Sequence, residues 1–325
     1  MRKLLLAVAI AALALAAGCG GGEVAAPAEP PAPAPAAPPA ATTEEPPAAT
    51  SEPATTEEPP ATTEAPDPCA VENLPLKTSG QLTVATGNPA YPPWFEGGTQ
   101  TDDWEINDPN NGEGYEGAFV YALAEQLGFT PDQVAWAPTS FNQSIAPGPK
   151  KYDFNIQQIS ITKKRAKAVD FSEGYFDNVQ ALVSIKGSKV DGATSFADFD
   201  GAKLGVPVGT TSYDYVAENI PGAELAVYDD QAGAVQALKN GQVDGIVTDL
   251  YTGFYLRDAE LDDGVIVGQF PPGPEVEQFG LSFEKGSALV DCVNQAIATL
   301  GDDGTLQALQ DQWLADVGGA PLISG

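Results

Sequence analysis

From Gln81 onward the chain alternates two rhythms. Short runs rich in β-branched and aromatic residues, "LTVAT" (82–86), "QVAWAP" (133–138) and "YDFNIQQIS" (152–160), read as strands. Between the first two lies "YEGAFVYALAEQLGF" (115–129), an amphipathic helix that Gly128 closes. A basic helix is expected after Ser160, with Thr162 as its N-cap, and then a strand "NVQALVSI" (178–185). A second series begins near Ser195: strand "AKLGVPV" (202–208), helix 212–219, strand "ELAVY" (224–228), helix 231–240, strand "VDGIVTD" (243–249) and helix 250–258. Strand "VEQFGLSF" (276–283) and helices over 287–300 and 304–315 close the chain. Such alternation predicts an α/β fold with largely parallel sheets. Sheets of this kind bind ligands beyond the carboxyl ends of their strands, so the loops after 82–86, 152–160, 202–208 and 243–248 are the places for a site.

Ahead of Gln81 both rhythms vanish. Met1-Arg2-Lys3 and the apolar run Leu4 to Ala17 form a signal peptide over 1–18, too short for a comfortable membrane span. It runs through Leu15-Ala16-Ala17-Gly18 into Cys19, a pattern resembling a bacterial lipobox, and Cys19 is expected to carry a lipid anchor to the membrane. Residues 19–68 are almost entirely Ala, Pro, Thr, Glu and Gly, with the repeat "ATTEEPPAATSEP" then "ATTEEPPATTEAP". A segment without core residues is expected to stay disordered and to reach on the order of 150 Å as extended polyproline.

Charge then narrows the class. The formal net charge is −30. Nine of forty-five acidic residues lie in the tether and two of fifteen basic ones in the leader, so the folded part stays strongly acidic. Nucleic acid is a poor partner for such a surface. With no histidine, a nucleophile–histidine arrangement is excluded and a metal site lacks its commonest ligand. Cys69 and Cys292 remain as an even pair in an oxidising compartment, which suggests a disulfide; the alternative is one buried and one exposed thiol.

Against this background "SITKKRAKAVDFSEGY" (160–175) stands out, because it concentrates the scarce positive charge. Beyond the leader, Arg165 and Arg257 are the only arginines. A guanidinium in the first turn of a helix can hold a carboxylate through two parallel bonds, whereas Lys163, Lys164 and Lys167 read as solvated surface charge. In "GTTSYDYV" Thr211 and Asp214 have the form of a capping box, and Thr210 with the free N–H groups behind it makes a second anion-binding helix start. Asp249 can accept bonds from an ammonium or cap helix 250–258; both readings stay open. Tyr91, Trp94 and Phe95, on a proline-stiffened loop, wall an apolar ligand or pack into the core. An anion grip, a cation acceptor and an aromatic wall together suit an amino acid.

The same residues resemble the extracellular solute-binding protein family 3, the amino-acid receptors of ABC importers. "ISITKKRAKAVDFSEGYF" is similar to that family's S-x-T-x-x-R-x-x-x-V-D-F-S-x-x-Y segment, and "GVPVGTTSYDY" to its G-V-x-x-G-T-T loop. "LKNGQVDGIVTD" and "GTLQALQDQWL" resemble its later strand and terminal helix. The resemblance implies two α/β lobes of the type II periplasmic-binding-protein kind joined by crossover strands: 69–183 plus 280–325, and 187–275. It also implies that Arg165 holds the ligand α-carboxylate, aided by Thr210, Thr211 and the Ser160 loop. Asp249 would then take the α-ammonium, and Tyr91 and Trp94 would pack along the side chain.

Four features depart from the family's pattern. Asn88 stands where several members place an acidic residue, which favours a neutral, polar side chain over a cationic one. Gln157 and Gln158 replace small residues before the clamp and narrow or polarise the pocket. "YEGAFVYAL" lacks the acidic residues of the family's G-F-D-x-D helix start, and 97–114 looks like an inserted lid-edge loop. The expectation is therefore an extracytoplasmic, monomeric, non-enzymatic receptor that needs no cofactor and delivers an amino acid to ABC importer permease subunits. The alternatives are a ligand-sensing domain and a dehydratase-type enzyme on the same fold.

Overall fold

The structure, a computed structural model, describes residues 67–98, 100–315 and 319–325. The expected signal peptide, the modification of Cys19 and nearly all of the 19–68 tether lie outside these residues.

The first lobe begins with β1 (Leu82–Thr86), α1 (Tyr115–Gln126), β2 (Val134–Pro138), the single turn α2 (Phe141–Ser144), β3 (Phe154–Asn155) and β4 (Val169–Asn178). The second contains β5 (Gln180–Ile185), β6 (Lys203–Pro207), α3 (Thr211–Asn219), β7 (Glu224–Tyr228), α4 (Gln231–Lys239), β8 (Gly245–Asp249), α5 (Leu250–Tyr255) and β9 (Gly264–Gln269). The chain then returns to the first lobe through β10 (Glu277–Glu284), α6 (Val290–Asp302) and α7 (Thr305–Trp313). Each lobe has a five-stranded sheet, ordered β2-β1-β3-β10-β4 and β7-β6-β8-β5-β9. The β1–β2, β1–β3, β6–β7 and β6–β8 pairs are parallel, and the crossover strands β10 and β5 run antiparallel to their neighbours. This is the expected two-lobed α/β class.

Each sheet is covered by its own core. Leu82, Val84, Phe119, Leu123, Phe279 and Ile297 pack together in the first lobe, and Leu182, Leu204, Val206, Val247 and Phe270 in the second. Burying one such side chain contributes about 1.5–3 kcal/mol, so each lobe is held mainly by its own sheet and helices. Cys69 and Cys292 are joined, tying the first described residues to α6 across 223 positions.

Three expectations are corrected. The 152–160 strand shrinks to Phe154–Asn155, because the chain turns at Gln158, whose φ of 48° is left-handed. The basic helix is only a three-residue 3₁₀ turn, Arg165–Lys167, too short for the helix-dipole argument. The following residues pair with β10 as a long strand instead, since Val169, Phe171, Tyr175 and Phe176 suit a ladder better than a helix. Finally, the chain end does not stay in the first lobe. Ile323 N–H donates to Gln269 O at 2.9 Å, and Ile323 is buried in the second lobe's core. Gly268 permits this, since a Cβ there would come within 2.7 Å of Ile323 Cγ1.

Candidate functional site

The β4-to-β5 and β9-to-β10 crossovers bring the carboxyl ends of β1, β6 and β8 to face one another across a cavity of about 560 Å³. Asn88, Tyr91, Trp94, Gln158, Thr210 and Asp249 line it, whereas Arg165, Ser160 and Thr211 form a cluster beside it.

Arg165 is 7% exposed. Its N–H is accepted by Thr162 Oγ1 at 3.1 Å, so Thr162 does secure this turn. Nη1 donates to Ser160 O at 2.7 Å and Nη2 to Gly209 O at 3.0 Å, joining the lobes, and the guanidinium lies 5.1 Å from the centre of the cavity-lining Phe141 ring. Burial lowers its pKa, and Glu277, Asp249 and Asp214 oppose that. Among the described residues it makes no ion pair. The neighbouring lysines behave as surface charge: Lys163 and Lys164 reach only exposed Glu275 and half-exposed Asp214, each at 3.7 Å.

Thr210, rather than Thr211, caps α3; its Oγ1 accepts from Tyr213 N–H at 3.2 Å. That leaves the Thr211 hydroxyl free to donate to Glu277 Oε1 at 2.7 Å. Asp249 precedes α5 but its side chain makes no capping bond. Its Oδ1 instead accepts from Asn178 Nδ2 at 2.5 Å and Gln180 Nε2 at 2.9 Å, two amides of the first crossover. Burial, then the charge of Glu277, raises its pKa to about 7.

The aromatic wall serves both readings at once. Trp94 is 1% exposed and stands edge-on to Tyr115 and Phe176, yet its Nε1 donates across the cleft to Thr252 Oγ1 at 3.1 Å. Tyr91 meets Tyr255 of the second lobe at 5.7 Å between ring centres.

Asn88 has another task. Its Nδ2 donates to Asp103 O at 2.8 Å, and its Oδ1 accepts from Glu105 N–H at 3.0 Å, so its amide fastens the 97–114 loop. Buried Asn107 bonds Ala90 O and Phe95 O from the other side. The loop is thus tied to the aromatic wall. Gln158 is held in its left-handed turn by Glu116, which accepts from both its backbone and its side-chain N–H groups. Glu116 does supply an acidic residue at the α1 start, buried and also bonded by Tyr175 Oη; burial raises its pKa to about 7. Gln157 Oε1 and Gln231 Nε2 are buried cavity atoms without a hydrogen-bond partner among the described residues. The charged residues of the lining are Asp229, Asp230 and Asp249, with no lysine or arginine.

Gln180, Asn178, Glu116 and Glu277 were not anticipated. Asn178 ends β4, Gln180 opens β5 and Glu277 opens β10, polar positions at strand ends that no periodicity marks.

Comparison with known proteins agrees with this geometry. The sequence model of the bacterial extracellular solute-binding proteins, family 3, matches residues 98–316. The L-cystine-binding protein TcyJ of Escherichia coli (strain K12) is 33% identical over 248 residues, covering 74% of this chain and 86% of its own. An ancestral arginine-binding protein bound to glutamine superposes with a TM-score of 0.59 at 30% identity, covering 74% of this chain and all of the other. An ancestral amino-acid-binding protein described as a precursor of cyclohexadienyl dehydratase gives 0.57 at 28% identity, covering 72% and 95%.

Proposed function

Since the chain belongs to the bacterial extracellular solute-binding proteins of family 3, we propose that it captures a free amino acid between its lobes and delivers it to the permease of an ABC importer. The observation that carries this reading is Arg165: a buried guanidinium without an ion pair among the described residues, at the junction of both lobes and against the Phe141 ring of the cavity wall. In this reading the α-carboxylate meets Arg165 and the start of α3, and the α-ammonium meets Asp249. A neutral, polar side chain is favoured by Gln157 and Gln231, whose unpartnered amide atoms a polar end group would satisfy. Asn88 no longer supports that preference, because its amide is engaged by the loop.

The protein acts as a monomer anchored outside the cell through lipid on Cys19, with the tether as spacer. Among the described residues no helix is long and apolar enough to cross a membrane. A thermal-shift screen against the common amino acids tests the reading, since ligand at about 100 times Kd adds roughly 2.7 kcal/mol. If none of them raises the melting temperature, the amino-acid reading is wrong. Product formation from such a ligand would favour the dehydratase alternative.

A further inference from the structure

The hydroxyls expected to help hold a ligand carboxylate already hold one. Ser160 Oγ donates to Glu277 Oε1 at 2.5 Å, and Thr211 Oγ1 donates to the same oxygen at 2.7 Å. Gln180 Nε2 lies 3.3 and 3.2 Å from the two oxygens of Glu277, and 2.9 Å from Asp249 Oδ1. Ser160 belongs to the first lobe and Thr211 opens α3 of the second, so one carboxylate bridges both sides of the cleft. Glu277 is also the leading charge acting on buried Arg165. Thr211, at the start of α3, and Ser160, beside Arg165, are among the groups expected to meet the ligand's α-carboxylate, and Glu277 occupies both hydroxyls.

We propose that Glu277 is an internal occupant of the carboxylate grip, which an incoming amino acid displaces, and that this competition limits the affinity of the receptor. The inference rests on the amino-acid reading of the site. Displacement has somewhere to go: Glu277 opens β10 directly after residues 272–276, all of them exposed. A second effect acts in the same direction. Glu277 opposes the ionisation of Asp249, so a receptor whose Glu277 stays in place also presents a weaker acceptor for the ligand ammonium.

Calorimetric titration of wild type and Glu277→Gln with L-glutamine, L-arginine and L-cystine tests this. The amide keeps the shape and one acceptor but removes the charge. Wild type should bind at least one of the three, and Glu277→Gln should bind that ligand about tenfold tighter or more, as loss of a nearby like charge implies. The gain should shrink, leaving only the part that acts through Asp249, when the ligand's α-carboxylate is replaced by its α-carboxamide. Equal or weaker binding by Glu277→Gln, or an equal gain for the carboxamide, overturns the inference while leaving the amino-acid reading intact. Failure of wild type to bind any amino acid defeats that reading instead. Should Glu277→Gln not fold, Glu277→Asp withdraws the carboxylate by one methylene, and the same gain is required of it.

Discussion

Arg165 Nη2 donates to the carbonyl of Gly209 at 3.0 Å, and this bond spans the two lobes. The side chain beside the cavity therefore also links the two lobes. Replacing it removes one of the polar links across the junction and, on the proposed reading, the grip on a ligand carboxylate.

Arg165→Ala is accordingly expected to lower amino-acid affinity by more than a hundredfold, the usual consequence of leaving a buried anion without its partner at about 3–5 kcal/mol. Arg165→Lys should also fail substantially, because an ammonium cannot supply two parallel bonds. Lys163→Ala and Lys164→Ala should change affinity little, and in a salt-dependent way. Titration calorimetry separates these cases; Arg165→Ala binding within about threefold of wild type would place the ligand elsewhere.

How much of this was legible follows from what each residue depends on. Arg165 is visible in the sequence because its setting contrasts with an acidic chain, and Asp249 because it ends an apolar run. Neither depends on distant partners to be noticed. Glu277 does: its hydroxyl partners lie 117 and 66 positions away, and only the crossover brings them together. β4 was misread for a similar reason. Its partner is β10, about a hundred residues later, and the local lysines suggested a surface helix. Asn88 shows a third case, a residue that lines the cavity while its amide is engaged by a loop whose fold the sequence did not reveal.

The Cys69–Cys292 bridge fixes the start of the described chain onto α6. Cys69→Ser or Cys292→Ser is expected to lower unfolding free energy by about 2–4 kcal/mol, measured by urea denaturation at constant m-value. Two alkylatable thiols in native, unreduced protein would reject the bridge itself.

The cavity wall predicts selectivity by charge. Asp229, Asp230 and Asp249 line it without a lysine or arginine, so an acidic side chain meets only like charge. Glutamine should bind at least about tenfold more tightly than glutamate, its near-isostere. The double variant Asp229→Asn, Asp230→Asn should narrow that ratio. Asp230 caps α4 by accepting from Gly233 N–H, and asparagine caps as well, so the change alters charge rather than fold. Equal affinity of wild type for the two ligands would contradict the charge argument.

Glu116 predicts an unusual dependence of stability on pH. The group is fully buried with no cation beside it among the described residues, and burial raises its pKa from an ordinary 4.5 to about 7 in the folded protein. Between those values the folded state binds more protons than the unfolded state, so stability falls as pH rises from about 4.5 to about 7 and levels off above. The contribution of this one group is roughly 3 kcal/mol at most, by the free energy attached to such a difference. Asp249, raised by the same cause, acts in the same direction, so wild type alone cannot assign the effect. Glu116→Gln can. Its carbonyl can still accept from Tyr175 Oη and Gln158 N–H, and its new amide can donate to Gln158 once that side-chain amide turns over. The variant should therefore lose part of the wild-type slope and equal or exceed wild-type stability at pH 8. Melting curves for both proteins across pH 4.5 to 8 decide the matter. Parallel curves would mean that Glu116 keeps its proton balance on folding and that Gln158 is held by an ordinary ionised carboxylate.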